Sequence, residues 1–285
     1  MKQEKLAKIE QDLRQIAEIL ILNGTLTECS GLINGKTGIA IFFFHYAKLT
    51  KNSLYEEYAN DLIEEIIKQL HNSSPADYKT GIAGIAAGLN YMIVNRFLNA
   101  DEDIFEDFDK RMYRAVMFEP WQDFSLYDGL TGYGRYWLMR LRHQPALEPA
   151  RECLRHINSC INEKLTDIPE DEKNDIYCFL HDLHEISNKN MDLKTLELSK
   201  KYFFSEFETN QFFPRLGNSD FGALVRKYLQ KHYFNSLYNN DVENIQLLDI
   251  DKPFDNMGIL AGYTGEGLIR MQKINPLILT WMYLL

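Results

Sequence analysis

The residue types best suited to chemistry fall in a few short stretches of the 285-residue chain. In "CFLHDLH", Cys178, His181 and His184 stand at i, i+3 and i+6. On a helix the first two share a face and the third has rotated away, so two of them could meet one metal only with help from elsewhere. The plainer reading, a buried cysteine with two partly exposed histidines, is the one taken, and the residues by themselves assign no metal. Cys153, His156 and Cys160 recur at helical spacing and make a patch better suited to packing than to catalysis. His45 closes the apolar run "IAIFFFH" with no serine or cysteine beside it, so no nucleophile–base pair is built there.

Asp128 directly precedes Gly129, and Asp220 follows Gly217 by three. As helix caps they would accept N-terminal amides; as a pair facing one cavity they would resemble the two carboxylates of a glycoside hydrolase. Capping is the default. Arg135 and Arg215 are candidate binders of an anion or carboxylate in the same region, and Tyr127, Trp121 and Tyr263 are candidate stacking surfaces. Together Tyr127, Asp128, Arg135, Arg215, Asp220 and Tyr263 form the candidate binding set.

The elements that must position these groups are announced by glycine. "GIAGIAAGLNYM" carries three glycines in an otherwise apolar helix, where each costs roughly 1 kcal/mol against alanine. A pair of glycines three apart, ahead of an apolar run, appears at Gly35/Gly38, Gly81/Gly84, Gly129/Gly132 and Gly262/Gly265. Two weaker units fill the long gap, one starting at Asn174 and one carrying Gly217 and Gly222. The starts 35, 81, 129, 174, 217 and 262 are spaced by 43 to 48 residues, and such a period signals a repeat architecture.

Between the glycine units run amphipathic helical stripes, such as Tyr55, Tyr58, Leu62, Ile66 and Leu70. The segments after the glycines are apolar nearly all round, which marks buried helices. Each unit is then an amphipathic helix, a turn and a buried helix. Both terminal units carry the full motif, whereas an open solenoid caps its ends with polar repeats. The expected fold is all-α, an (α/α)6 barrel in a single domain spanning 1–285, with glycines that admit close approach and turns of positive φ. A sixth amphipathic helix is expected within 233–256, though that stretch is rich in turn residues.

Composition narrows the partners. A net charge of −10 argues against nucleic acid. The N-terminal Leu6, Ile9, Leu13, Ile16 and Leu20 form the stripe of an amphipathic helix rather than a signal sequence. "PLILTWMYLL" is too short to span a bilayer. Four cysteines without a disulfide-framework spacing point to a reduced, cytoplasmic protein.

On its four G-x-x-G copies, each ahead of an apolar helix, the chain resembles the lanthionine synthetase C family; "TGIAGIAAGLNYM" through "LYDGLTGYGRYWLMR" looks most like the LanC-like proteins of Bacteroidetes. The resemblance implies the (α/α)6 barrel and a role in maturing ribosomally made peptides, with a precursor peptide or a modification enzyme as partner. It also implies zinc, which in active cyclases activates a peptide thiolate for addition to a dehydrated serine or threonine. The family holds that zinc through W-C-x-G and C-H-G motifs. Neither is present: "IYCFLH" offers Cys178 alone, and Asn218, Ser219 and Asp220 stand near the place of Cys-His-Gly. The expectation is a LanC-like protein that binds a peptide or partner enzyme, with cyclase activity left open. A carbohydrate-active (α/α)6 hydrolase is the alternative.

Overall fold

The computed structural model describes residues 2–71, 73–99, 103–186, 193–204, 212–217, 219–234, 250 and 256–285. Among them are eleven α-helices and no strand. In chain order these are α1 (Lys2–Gly24), α2 (Lys36–Thr50), α3 (Ser53–Gln69), α4 (Ile82–Val94), α5 (Glu106–Met117) and α6 (Leu130–His143), followed by α7 (Glu148–Lys164), α8 (Lys173–Ile186), α9 (Leu193–Phe204), α10 (Asp220–Phe234) and α11 (Tyr263–Ile274). The chain divides into two compact units. The first comprises Met1–His71, Tyr91–Leu98 and Leu216–Leu285, the second Asn72–Asn90 and Asn99–Arg215.

The buried and amphipathic helices alternate as the repeat requires. In α2 every residue from Lys36 to Ala47 is buried, and in α11 every residue from Tyr263 to Gln272. The amphipathic helices bury one stripe: Leu62 and Ile66 on α3, Met112 and Val116 on α5, Leu154, Ile157 and Ile161 on α7. The N-terminal stripe behaves likewise, with Leu13, Ile16 and Leu20 inside α1. The sixth amphipathic helix expected in 233–256 lies almost wholly outside the described residues.

The second helices of the six units begin at 36, 82, 130, 173, 220 and 263. The fourth unit therefore starts two residues before, and the fifth two residues after, the positions that the sequence suggests. At four of these starts one loop conformation recurs. The first helical N–H donates to the carbonyl seven residues back: Lys36 to Cys29 at 2.9 Å, Ile82 to Pro75 at 2.9 Å, Leu130 to Asp123 at 3.0 Å and Tyr263 to Asn256 at 3.3 Å. A threonine at the second helical position repeats that reach with its hydroxyl, Thr37 to Ser30 and Thr131 to Phe124. Loop carbonyls thus satisfy amides that a helix start otherwise leaves open.

That loop leaves no room for side chains. A Cβ at Gly35, Gly81, Gly129 or Gly262 would lie within 3 Å of the carbonyl oxygen six residues back, and the same holds at Gly38, Gly132, Gly222 and Gly265 in the third helical position. The expected positive φ is not the reason: Gly35, Gly129 and Gly262 are extended, with φ of −136°, −112° and −117°. Close approach alone selects glycine there. Of the glycines, Gly217 has the positive φ, 65°.

Neighbouring glycine loops lock onto one another by repeated contacts. Tyr78 N–H donates to Tyr127 O, joining the second loop to the third, and Ile259 N–H donates to Ile33 O, joining the sixth to the first in equivalent positions. Gly134, fifth in α6, faces Phe179, seventh in α8; Gly267, fifth in α11, faces Phe42, seventh in α2. The last repeat is thus related to the first as an earlier repeat is to its successor. Buried ion pairs reinforce the joints. Arg270 on α11 binds Asp12 on α1 and Glu266, and Arg140 on α6 binds Asp103, just ahead of α5, and Asp109 on α5.

Gly132→Ala should lower stability by about 3 kcal/mol through overpacking, because its Cβ would press on Leu126 O and lie 2.8 Å from Tyr78 Cβ. Gly217→Ala, with nothing within 4 Å but a left-handed backbone, should cost only about 1 kcal/mol. Chemical denaturation of both variants measures the difference.

Candidate functional site

The fourth repeat departs from the glycine pattern, and its departures create a polar cluster within the second unit. Counted from the helix start, Asn174 stands where three of the other units have threonine and Asp175 where all five have the second glycine. Asp175 is 5% exposed. Its Oδ2 accepts the Leu126 N–H at 2.8 Å, the amide equivalent to those that Tyr78 and Ile259 give to a neighbouring loop carbonyl. The carboxylate replaces a backbone acceptor, and its other oxygen receives Arg215 Nη1. Glu172 does the same one step out, accepting Phe124 N–H at 2.9 Å. Sequence reasoning passed over Asp175 because it took Asn174 as the start of the unit; registering the unit on its helix start exposes a carboxylate in a glycine slot.

Arg215 sits on a 3-10 turn, Pro214–Leu216. Its guanidinium lies over two rings, 5.0 Å from the Phe213 centroid and 5.7 Å from that of Tyr127. Phe213, fully buried, holds a φ of 52°, a costly conformation for a bulky residue. Arg135, half-buried on α6, lies 5.8 Å over the Tyr78 ring. The sequence-derived candidates Tyr127, Arg135 and Arg215 thus come together around Asp175, Tyr78 and Cys178.

Burial sets the protonation of this cluster. It pushes the Tyr127 phenol up to about 12, against the pull of Arg215, and also raises Tyr78, with Arg135 and Arg215 opposing. Cys178, 1% exposed, is raised well above a free thiol, chiefly by burial and despite both arginines. It is a neutral thiol at pH 7. Burial also raises Asp175, with Arg215, the Leu126 amide and Arg135 pulling it back. The Tyr127 hydroxyl oxygen is shut off from solvent beside the Arg215 guanidinium; its carbonyl is engaged by the amides of Tyr78 and Lys79.

The remaining candidates lie elsewhere. Asp128 is exposed at the edge of the second unit, its carboxyl raised by desolvation and by Asp77 and Asp123, with Lys79 opposing. It does not cap α6, whose N-cap is Gly129 with no side-chain bond. Asp220 and Tyr263 belong to the first unit. Asp220 is the exposed first residue of α10, where Ser219 Oγ accepts the Gly222 amide; Tyr263 is the buried first residue of α11. Asn218 lies outside the described residues. Trp121 is taken up by Phe124, 4.9 Å away, and by Lys164 over its ring at 4.8 Å.

The zinc set implied by the resemblance is not assembled by the described residues. No three His, Cys, Asp or Glu side chains among them converge as metal ligands. Cys178 is buried as a neutral thiol, whereas a metal takes the thiolate. His181 and His184 are half-buried farther along α8, and His181 Nδ1 lies 3.7 Å from Asp182 Oδ1. Of the other cysteines, Cys153 is fully buried with its thiol pushed up to about 12, and Cys160 Sγ lies 3.6 Å from His156 Nε2. His45 sits in the first unit, 6% exposed, its Nε2 2.7 Å from the Tyr91 hydroxyl, and burial with Lys48 nearby lowers its pKa to about 4.

The family model described as lanthionine synthetase C-like protein matches residues 28–189, more than half of the chain. No curated protein matches it.

Elemental analysis of protein purified without a chelator or a histidine tag tests the ligand set: the described residues should hold no stoichiometric zinc, and one zinc per chain would place ligands outside them. His45 sets a pH dependence. Its folded pKa of about 4 lies below the unfolded 6.5, so the unfolded state binds the proton first and stability falls as pH drops through that window. Acidification from pH 6.5 to 5 should cost about 2 kcal/mol, and His45→Gln should flatten that slope in urea titrations.

Proposed function

The chain belongs to the lanthionine synthetase C-like family, whose fold is the (α/α)6 barrel, and we propose that it serves ribosomal peptide maturation by binding a peptide or a partner enzyme rather than by zinc-dependent cyclisation. The observation that carries this reading is the state of Cys178. The family's chemistry needs thiolates around a metal, and this chain keeps Cys178, on the helix of the fourth unit, as a buried neutral thiol beside two arginines. What stands around that thiol is a set of recognition groups: guanidiniums laid over aromatic rings and a phenol, residue types enriched where proteins hold ligands. The reading takes residues 1–285 as one LanC-like domain, with Tyr127, Arg135 and Arg215 as the contact set and Asp128 at its edge. The acidic net charge suits a peptide with cationic or neutral side chains. The carbohydrate reading would need Asp128 and Asp220 as a working pair, and nothing in the surroundings of either carboxylate favours it.

The test is a peptide that carries both dehydroalanine and cysteine, labelled for fluorescence anisotropy and followed by mass spectrometry after thiol alkylation. Saturable binding with full retention of the alkylatable thiol, with or without added zinc, is the expected result. Loss of the free thiol by ring formation would establish a cyclase instead, and absence of saturable binding would remove the peptide reading.

A further inference from the structure

Two asparagines of the chain are followed by glycine, Asn23 and Asn34, and the structure treats them in opposite ways. Glycine carries no Cβ beside its amide nitrogen, so that nitrogen can reach the side-chain amide of a preceding asparagine. Asn23–Gly24 closes α1. There Asn23 Nδ2 donates to Ile19 O at 2.8 Å, and Gly24 is buried against the Tyr58 hydroxyl. Asn34 is instead exposed, in the turn ahead of α2. Neither its side chain nor the Gly35 amide has a hydrogen bond among the described residues. At the second unit the equivalent Gly81 amide is held by Asp77 Oδ1 at 3.2 Å.

Asn34 also stands at a joint. Ile33 O, one residue before it, accepts the Ile259 N–H of the sixth loop at 2.8 Å, and Lys36 N–H, two residues after it, donates to Cys29 O at 2.9 Å. Its Oδ1 lies against Gly258, where a Cβ would come within 2.6 Å of it. Gly35 has no space to shift, because backbone atoms of Cys29 and Gly31 would stand 2.5 to 2.6 Å from a Cβ there. A main chain lengthened between Ile33 and Lys36 therefore cannot keep both hydrogen bonds.

We propose that Asn34–Gly35 is a site of spontaneous deamidation whose isoaspartyl product loosens the joint between the first and sixth loops. The Gly35 nitrogen loses its proton to hydroxide and bonds to Asn34 Cγ; the Cγ–Nδ2 bond breaks, and ammonia leaves with a proton taken from water. Water then opens the resulting succinimide ring. Attack at Cγ yields an aspartyl residue. Attack at the main-chain carbonyl carbon yields an isoaspartyl residue, whose main chain runs through the former side chain and is one methylene longer. The net exchange is amide and water for carboxylate and ammonium. The aspartyl product keeps the chain path and sets a negative charge ahead of α2, where the helix dipole favours it. Only the isoaspartyl product strains the loop.

The whole chain is aged in neutral and in mildly alkaline buffer, digested, and analysed by mass spectrometry with fragmentation that separates aspartyl from isoaspartyl peptides. Asn34 should convert to both products, faster at the higher pH. Asn23 should react at least about tenfold more slowly, because the end of α1 must open first. In guanidinium chloride, where both pairs are unfolded, the two rates should converge. Aged protein should unfold at lower denaturant in proportion to its isoaspartyl content, whereas fresh Asn34→Asp, which reproduces the aspartyl product, should match the parent. Asn34→Gln, whose longer side chain closes the ring less readily, should age without that loss. Equal native rates at the two pairs, or an Asn34 that stays intact, would overturn the site. Isoaspartyl protein as stable as fresh protein, or Asn34→Gln losing stability as fast as the parent, would overturn its coupling to the joint.

Discussion

The structure depends on how the glycine-led helices begin. Their first amides are satisfied by the carbonyls of a loop folded back over the helix start, seven residues upstream in four of the six units. That arrangement brings an oxygen to where a Cβ would be, so glycine is required twice, at the cap and at the third helical position. It also turns the loop's other edge outward, where Tyr78 and Ile259 offer their amides to the next loop. One local requirement therefore closes the helix end, forbids side chains at two positions, and joins the second loop to the third and the sixth to the first. Apolar burial then follows along helices such as α2 and α11, which are enclosed on nearly every side.

The cluster around Asp175 arises where this requirement is relaxed. The fourth unit has Glu172, Asn174 and Asp175 in place of glycine, threonine and glycine. Its side-chain carboxylates do what loop carbonyls do elsewhere, accepting the amides of Phe124 and Leu126. A carboxylate can do more than a carbonyl, because its second oxygen recruits a cation. Arg215 comes to Asp175 in this way, and with it come the rings that flank the guanidinium. A site at the point where a repeat breaks its own rule is what consistency across levels leads one to look for.

Burial then decides the chemistry that such a cluster can perform. Tyr78, Tyr127 and Cys178 are all held neutral by desolvation, and the arginines reduce that effect without reversing it. A thiol so placed is a poor nucleophile and a poor metal ligand. The same residues make an effective donor set, because neutral phenols and fixed guanidiniums keep their protons. The histidine of the first unit obeys the same rule: His45 is neutral against Tyr91 because charging it inside α2 would be costly.

Much of this was legible in the chain itself. Repeated glycine pairs at a steady interval, apolar runs after them and amphipathic stripes between them determine an all-α repeat and the registers of four of its six units, since both signals are local and periodic. The candidates Tyr127, Arg135 and Arg215 could be named from their places beside the glycine motifs. The sequence did not reveal that glycine serves close approach rather than positive φ, because φ follows from how the loop packs. Nor did it reveal Asp175. Asp175 matters only through the Leu126 amide and Arg215, which are 49 and 40 residues away, and contacts at that separation leave no period to read. The protonation of Cys178 was out of reach for the same reason: residue type sets the ordinary pKa, but desolvation by neighbours brought in from distant segments decides the actual one.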